Sequence, residues 1–141
     1  METTISSVVL SYLKGEIASL FNFPENQFYA EVRDDSKEKS VTTYRLDNAQ
    51  DVYTHGEQVN RRIAIQIQIV AGLSISKTEH IAEWVYENLV VKDNGKIQNS
   101  GFEFYIVPYQ KRPPKYLGTL DSGYHKYGID VLVIYHHRKD D

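Results

Sequence analysis

The chain has 141 residues, with 16 basic and 19 acidic side chains and a formal net charge of −3. This length suffices for one ordinary core, and the charge balance excludes a dominant basic face that wraps nucleic acid. The absence of cysteine excludes disulfide scaffolds, thiolate zinc sites and cysteine nucleophiles. We therefore expect a single domain over residues 1–141.

The first predicted element is an amphipathic helix of about 18 residues over 4–21, because apolar residues recur at steps of three and four. Its apolar stripe comprises Ile5, Val8, Val9, Tyr12, Leu13, Ile17, Leu20 and Phe21. Pro24 follows the helix and disfavours helical geometry in the residue before it. Lys14 and Glu16 make the segment too polar for a signal peptide or a membrane span, so we expect a soluble, intracellular chain. Phe28, Ala30 and Val32 then alternate as a first strand.

A polar stretch over residues 34–61 follows, with a mixed-charge run at 34–39. Segments 41–46 and 51–53 are compatible with the two arms of a hairpin, and the length and polarity fit a mobile excursion as well. We expect this stretch, the polar arm, to be a contact element. Its candidate contact residues are Asp34, Asp35, Lys37, Glu38, Lys39, Tyr44 and Tyr53.

The clearest period-two pattern predicts a central strand, in which Ile63, Ile65, Ile67 and Ile69 share one face. After Gly72, the run Ser76-Lys77-Thr78-Glu79 predicts a capping box that opens a second helix. The apolar face of this helix consists of Ile81, Trp84, Val85 and Leu89.

The C-terminal third predicts two turns and two further strands. The turns are Asp93-Asn94-Gly95 and Asn99-Ser100-Gly101. Phe102, Phe104 and Ile106 alternate with Glu103, Tyr105 and Val107 in one strand; Tyr127, Ile129, Val131, Val133 and Tyr135 alternate with Asp130, Leu132 and Ile134 in the last. Residues 110–116 are basic and contain prolines, which predicts an extended segment that pairs poorly.

Together these elements predict an α+β fold with two helices packed on one face of a small, largely antiparallel or mixed sheet, and with the polar arm attached.

The sequence provides no catalytic pattern. His136 and His137 are adjacent on a strand and point to opposite faces, so they do not form a joint metal site in regular geometry. No Gly-x-Ser-x-Gly elbow and no Gly-rich phosphate loop occurs in the sequence. Asp34-Asp35 lies in a lysine-containing run that is typical of a solvated loop. We expect neither enzymatic activity nor a cofactor or metal.

Two binding interpretations concern the C-terminal third. Lys111, Arg112 and Lys115, interleaved with tyrosines, are similar to a small single-strand nucleic-acid platform or to a rim loop held by prolines. Abundant tyrosine and the doubly apolar last strand favour a protein interface instead. The candidate subunit-interface residues are Tyr109, Tyr116, Leu132, Ile134 and Tyr135.

The order of these elements and the closing motifs resemble the tail-terminator, or tail-completion, proteins of long-tailed bacteriophages, some of which are catalogued as phage minor capsid proteins. The resemblance covers nearly the whole chain. It rests on Arg62–Val70, Ala82–Leu89, Pro113 or Pro114, Leu117-Gly118, Asp121, Gly123 and Tyr127–Tyr135. One departure is the absence of proline between Pro24 and Pro108, which leaves the arm's conformation open.

The resemblance implies a homo-oligomeric ring, usually a hexamer, at the head-proximal end of the virion tail, assembled in the host cytoplasm. Such a ring binds the major tail tube protein, stops tube growth and presents a surface to the head-completion or connector protein, without membrane contact. DNA would only pass through its lumen, for which the acidic candidates are Asp34, Asp35, Glu38, Asp47 and Asp51. The alternatives are a phage head-completion or connector protein and a small cellular α+β ligand-binding domain with a closed apolar pocket.

Overall fold

The computed structural model describes residues 4–31, 37–47, 50–53, 59–92, 97–99 and 101–137. Two α-helices occur in these ranges, α1 (Ile5–Ile17) and α2 (Ile75–Val85), and α2 continues into a π-helical turn, Tyr86–Val91. The strands are β1 (Phe28–Ala30), β2 (Lys39–Arg45), β3 (Gln50–Tyr53), β4 (Val59–Ala71), β5 (Ile97–Asn99), β6 (Phe102–Pro108), β7 (Lys115–Thr119) and β8 (His125–His137). Short 3₁₀ turns lie at Glu25–Gln27 and Tyr109–Lys111.

The strands form one mixed sheet in the order β1-β2-β4-β8-β6-β5. β3 pairs with the first part of β4, and β7 pairs with the first part of β8. The β1–β2 pair is parallel, and the other pairs are antiparallel. The predicted α+β class is confirmed.

The core lies between the two helices and one face of the sheet. β4 and β8 pair continuously from Arg61↔Tyr135 to Val70↔Lys126 and form the centre of the sheet. The predicted apolar faces of β4, β6 and β8 are confirmed as buried: Ile63, Ile65, Ile67, Ile69, Phe102, Phe104, Ile106, Tyr127, Ile129, Val131, Val133 and Tyr135. Among the described residues, no helix has the length and apolar character needed to cross a membrane.

Helix α1 is confirmed, but it is shorter than the sequence predicts. Thr4 caps its start by accepting a hydrogen bond from the Ser7 amide at 3.2 Å. The helix ends at Ile17 and passes into a turn in which Asn22 has a positive φ of 59°. This turn points Leu20 into solvent with 55% of its surface exposed, whereas Phe23 folds back into the core.

The polar arm is not a separate excursion, because most of its described residues belong to the sheet. β2 pairs with β4 over seven positions, and β3 pairs with the preceding part of β4. The two segments therefore do not form a hairpin with each other. Val41 and Thr43 of β2 are fully buried, and the Thr43 hydroxyl donates to the Ser6 carbonyl at 3.0 Å. Pairing satisfies the polar backbone of β2, so its polar sequence is compatible with burial.

Helix α2 begins one residue after Ser74, not at the predicted capping box. The Ser74 hydroxyl accepts a hydrogen bond from the Lys77 amide at 3.2 Å, and the Ser74 carbonyl accepts one from the Thr78 hydroxyl at 3.0 Å. Lys77 occupies the third helical position, where a capping box needs Glu or Gln. Ser76 is therefore an exposed residue of the first turn.

The two serines give a matched test of this helix start. Ser74→Ala should lower the free energy of unfolding by about 1 kcal/mol, because the Lys77 amide loses its acceptor. Ser76→Ala should change it by less than about 0.5 kcal/mol, as expected for an exposed site. Urea denaturation of both variants measures the difference, and the reverse ranking would place the helix start at Ser76.

The structure tests some of the remaining sequence predictions. Residues 110–116 were expected to pair poorly, yet β7 begins at Lys115 and pairs with β8. The turn before β6 is confirmed at Gly101, which has a positive φ of 82°. The predicted turn at 93–95 lies outside the described residues, as do Val32 and Ser100.

Candidate functional site on the outer face of the sheet

The outer face is the side of the sheet opposite α1 and α2. Because side chains alternate along a strand, it carries the even-numbered residues of β2, β4 and β8. Much of it is polar and nevertheless buried: Ser40, Thr42, Gln68, Lys126 and Asp130 are all less than 9% exposed. The segment 109–119 contributes to this burial, since Leu117 packs so closely over Gly128 that any side chain at position 128 would collide with it.

Asp130 lies at the centre of this polar region and is 2% exposed. Gln66 Nε2 donates to its Oδ1 at 2.9 Å, and Gln68 Nε2 donates to Gln66 Oε1 at 2.8 Å. Lys115 Nζ at 3.0 Å and Arg112 Nη1 at 3.2 Å both bind Oδ2. Burial by itself raises the pKa of Asp130, but the hydrogen bonds from Gln66, Lys115 and Arg112 outweigh it and lower the pKa below its ordinary value.

The Asp130 network anchors a strained segment of backbone. Gln110 and Lys111 both have positive φ values, 51° and 56°, which is unfavourable for residues with side chains. Arg112 holds this turn by stacking on the Tyr109 ring at 4.9 Å and by donating to Gln110 Oε1 at 2.8 Å. The segment is thus fixed to the sheet at Asp130 on one side and by its own side chains on the other.

This arrangement weakens the nucleic-acid interpretation of the basic cluster. Arg112 and Lys115 both direct a charged group to the Asp130 carboxylate. A platform for single strands needs cations directed toward the backbone of the nucleic acid. The structure favours the interpretation of this segment as a rim loop.

The second half of the outer face is apolar. Tyr105 lies opposite Ile134, and Val107 lies opposite Leu132, so two adjacent cross-strand pairs form one surface, the outer patch. Tyr105 is 41% exposed and Val107 is 36% exposed, while Leu132 and Ile134 are half-buried. The four side chains form a contiguous apolar surface at the β6–β8 end of the sheet.

The structure separates the residues predicted to form one subunit interface. Leu132 and Ile134 lie in the outer patch. Tyr135 lies on the opposite side of β8, 8% exposed, with its ring centroid 5.9 Å from that of Phe102. It is a core residue, because odd-numbered positions of β8 face the helices, and little of it remains for a partner.

Tyr116 belongs to another surface, at the end of the sheet where α2 begins. Its hydroxyl hydrogen-bonds to His125 Nδ1 at 2.9 Å, and the His125 amide donates to the Gly72 carbonyl at 3.2 Å. Leu73 and Ile75 follow Gly72 and are exposed, Leu73 at 70%. We call Leu73, Ile75 and Tyr116 the end patch.

Tyr127 ties the end patch to α2. Its ring centroid lies 5.4 Å from that of Tyr116, and its hydroxyl donates to Glu79 Oε2 at 3.1 Å. Burial raises the pKa of Tyr127 above its ordinary value, and the Glu79 carboxylate raises it further. Tyr127 is therefore a neutral donor at physiological pH that joins β8 to α2.

The acidic residues predicted to line a lumen and the predicted contact residues of the polar arm lie in different environments. Glu38 is exposed beside Gly72, whereas Asp47 Oδ1 accepts the Ala64 amide at 2.9 Å and so supports β4. Lys39 is a β2 residue whose Nζ donates to the Phe21 carbonyl at 3.4 Å. The other candidates are placed as follows: Lys37 is exposed, Tyr44 lies in β2, Asp51 and Tyr53 contribute backbone to β3, and Asp34 and Asp35 lie outside the described residues.

Two buried or half-buried acidic residues were not recognised from the sequence. Asp130 was placed on the outer face without a role. Glu31 has a positive φ of 65° and joins α1 to β2, because its carboxylate accepts from Ser6 Oγ at 2.6 Å and from Arg45 Nε at 3.0 Å. The available signal for Asp130 was a charged residue in the middle of an otherwise apolar strand.

Metal and histidine chemistry receives no support from the described part of the chain. There, no group of three or more His, Asp or Glu residues is arranged to hold a metal ion. His136 Nε2 instead lies 3.0 Å from Glu103 Oε2 across the β6–β8 pair.

The fold and the outer face define an α+β domain with an anchored polar network beside an exposed apolar patch. Comparison with protein-family models and with curated proteins finds no match for this chain.

Proposed function

We propose that this chain is a structural subunit that assembles into a tail-terminator ring, which caps the tail tube of a long-tailed bacteriophage. The ring stops tube polymerisation and provides the surface to which the head joins. The observation that supports this proposal most is the outer patch of Tyr105, Val107, Leu132 and Ile134.

The outer patch has the properties of a protein-docking surface. Its side chains come from two neighbouring strands, so their relative positions are fixed by the β6–β8 hydrogen bonds. Full burial of a Val, Leu or Ile side chain contributes about 1.5–3 kcal/mol, which favours association when several are buried together. Tyr105 adds an aromatic ring with a polar hydroxyl, a combination that is enriched at protein interfaces.

The Asp130 network supports this function by keeping the neighbouring surface rigid. It fixes Arg112 and Lys115, and with them the segment that follows β6, against the sheet. A preorganised surface loses little conformational entropy on docking, which raises affinity for a given buried area. A ring that has to stop a growing tube benefits from such a fixed surface.

The resemblance to tail-terminator proteins is the reason for proposing the end of the tail tube as the binding partner. The segments that carry the resemblance lie in β4, in α2 and the π-helical turn that follows it, in and around β7, and in β8. They include both strands at the centre of the sheet, but only two residues of the outer patch, Leu132 and Ile134, and none of the end patch. The resemblance therefore concerns the scaffold as a whole. The proposed partners are further copies of this chain, the major tail tube protein and the head-completion protein.

Loss of the gene should give tails longer than normal and unattached heads, because nothing would stop the tube or join the head. A Tyr105→Asp allele should reproduce this phenotype, since it places a charge in the outer patch. Leu20→Asp changes an apolar residue outside the patch that is even more exposed than Tyr105, and it should give normal phage. Electron micrographs of lysates measure tail length and head attachment.

The same micrographs distinguish the alternatives. Tails of normal length without attached heads would indicate a head-completion or connector protein instead. Normal, complete phage in the absence of the gene would contradict a role in tail completion.

A further inference from the structure

A histidine–carboxylate pair borders the outer patch on the same face of the sheet. His136 Nε2 lies 3.0 Å from Glu103 Oε2, and the two side chains are only 19% and 15% exposed. His136 and Glu103 are cross-strand partners in the β6–β8 ladder, and the next pair of this ladder on the outer face is Ile134 opposite Tyr105. A partner that covers Tyr105 and Ile134 would therefore also shield the His136–Glu103 pair from solvent.

We propose that the His136–Glu103 pair takes up a proton when a second copy of this chain docks on the outer patch, so that the ring assembles more tightly as the pH falls. This inference rests on the proposed ring function and names a regulation of its docking surface.

The charge of the pair determines what it costs to cover it. When His136 is neutral and Glu103 is ionised, the pair carries one uncompensated negative charge, and removing such a charge from water is unfavourable. After uptake of one proton the pair has no net charge and keeps its hydrogen bond, whichever of the two residues holds the proton. Docking therefore favours the pair with the additional proton. Histidine is the side chain whose ordinary charge change falls nearest to neutral pH.

The strand register identifies the other polar groups that face the pair from the described parts of the neighbouring strands. Gln98 of β5 donates from Nε2 to Glu103 Oε1 at 3.1 Å and is uncharged. Arg62 of β4 lies opposite Ile134, diagonally from His136. The guanidinium of arginine is not deprotonated in proteins, so this charge is the same before and after a change of pH. Tyr105 carries a phenol, a group that ordinarily ionises well above neutral pH.

Sedimentation velocity of the full-length wild type at a series of pH values measures this dependence. Uptake of one proton per contact strengthens association by at most about tenfold for each pH unit. We expect the dissociation constant for self-association to fall at least about tenfold between about pH 9 and about pH 6.

Three variants assign the dependence to this pair. His136→Gln removes the side chain that is protonated near neutral pH, so the dissociation constant should change less than about twofold over the same range. Glu103→Gln leaves a histidine whose protonated form would be an unpaired cation under the partner, so association should instead weaken as the pH falls. His80→Gln changes an exposed histidine of α2, on the opposite side of the sheet, and should keep the wild-type dependence.

Circular dichroism verifies that each variant is folded. Calorimetric dilution of the wild type in two buffers of different ionisation enthalpy counts the protons taken up per contact and needs no variant. Association of the wild type that is independent of pH, or a wild-type dependence that persists in His136→Gln, would overturn the proton uptake and leave the ring proposal intact. A wild type that stays monomeric at every pH would overturn both proposals.

Discussion

Deletion of residues 36–58 is expected to abolish cooperative unfolding, because it removes both β2 and β3. β2 pairs with β4 at seven positions from Lys39↔Ala71 to Arg45↔Ile65. Its loss would leave one edge of β4 unpaired and would remove the contacts between β2 and α1. It would also leave β1 without its pairing partner. A small domain with a net stability of about 5–15 kcal/mol cannot lose this much of its core and remain folded.

Urea titration of the deletion variant, followed by circular dichroism, measures this expectation. A cooperative transition near the wild-type midpoint would contradict it and would show that β2 is dispensable for the core.

Two point substitutions within residues 36–58 compare the effect on stability of a buried position with that of an exposed position. Val41→Asp should destabilise by several kcal/mol, because it buries an unpaired carboxylate at a fully buried position. Leu46→Asp, at an exposed position one residue beyond β2, should change stability by less than about 0.5 kcal/mol. Equal effects of the two substitutions would contradict the burial of β2.

The difference between the predicted arm and the observed strands has a physical origin. The strand over Ile63–Ile69 was predictable, because a large aliphatic side chain occupies every second position. β2 contains Ser40, Thr42 and Thr43, which are polar, so periodicity underestimates it. Their burial is compatible with the polar sequence because β4 pairs with the β2 backbone and the Thr43 hydroxyl donates to the Ser6 carbonyl. Pairing between distant segments leaves no trace in local sequence.

The candidate site was predictable to a similar extent. Leu132 and Ile134 stood out because apolar residues occupied both faces of the last strand. Tyr105 and Val107 were predicted on the second face of β6, but their position beside Leu132 and Ile134 depends on the β6–β8 register. The end patch combines residues from the start of α2 and from β7, which lie about 40 positions apart in the sequence and are brought to the same end of the sheet by the fold.

Asp130 could not be assigned from sequence for the same reason. Its partners Arg112 and Lys115 lie 18 and 15 residues before it, and Gln66 lies 64 residues away. A lone carboxylate in a strand is ordinarily read as a solvent-facing residue, because unpaired charges are rarely buried. Only the fold brings two cations and an amide to it.

Substitution of Asp130 is expected to destabilise the protein in a pH-dependent way. Asp130→Asn should lower the free energy of unfolding at pH 7 by about 2–3 kcal/mol, because two charge-assisted hydrogen bonds are lost from a buried carboxylate. The pKa of Asp130 is lower in the folded protein than its ordinary value. Its ionised form therefore stabilises the fold above the unfolded pKa of about 3.9, and this contribution is lost as the pH falls through the folded pKa.

The difference in stability between wild type and Asp130→Asn should accordingly be constant above about pH 5 and shrink below about pH 4. Denaturant titrations of both proteins between neutral and acidic pH measure it. Asp121→Asn is the matched control, since Asp121 is exposed and should show a small difference at every pH. A difference that does not depend on pH would show that packing, and not the charge of Asp130, stabilises this part of the sheet. A pH-dependent loss would instead establish that the segment next to the outer patch is held by the Asp130 carboxylate, as a preorganised docking surface requires.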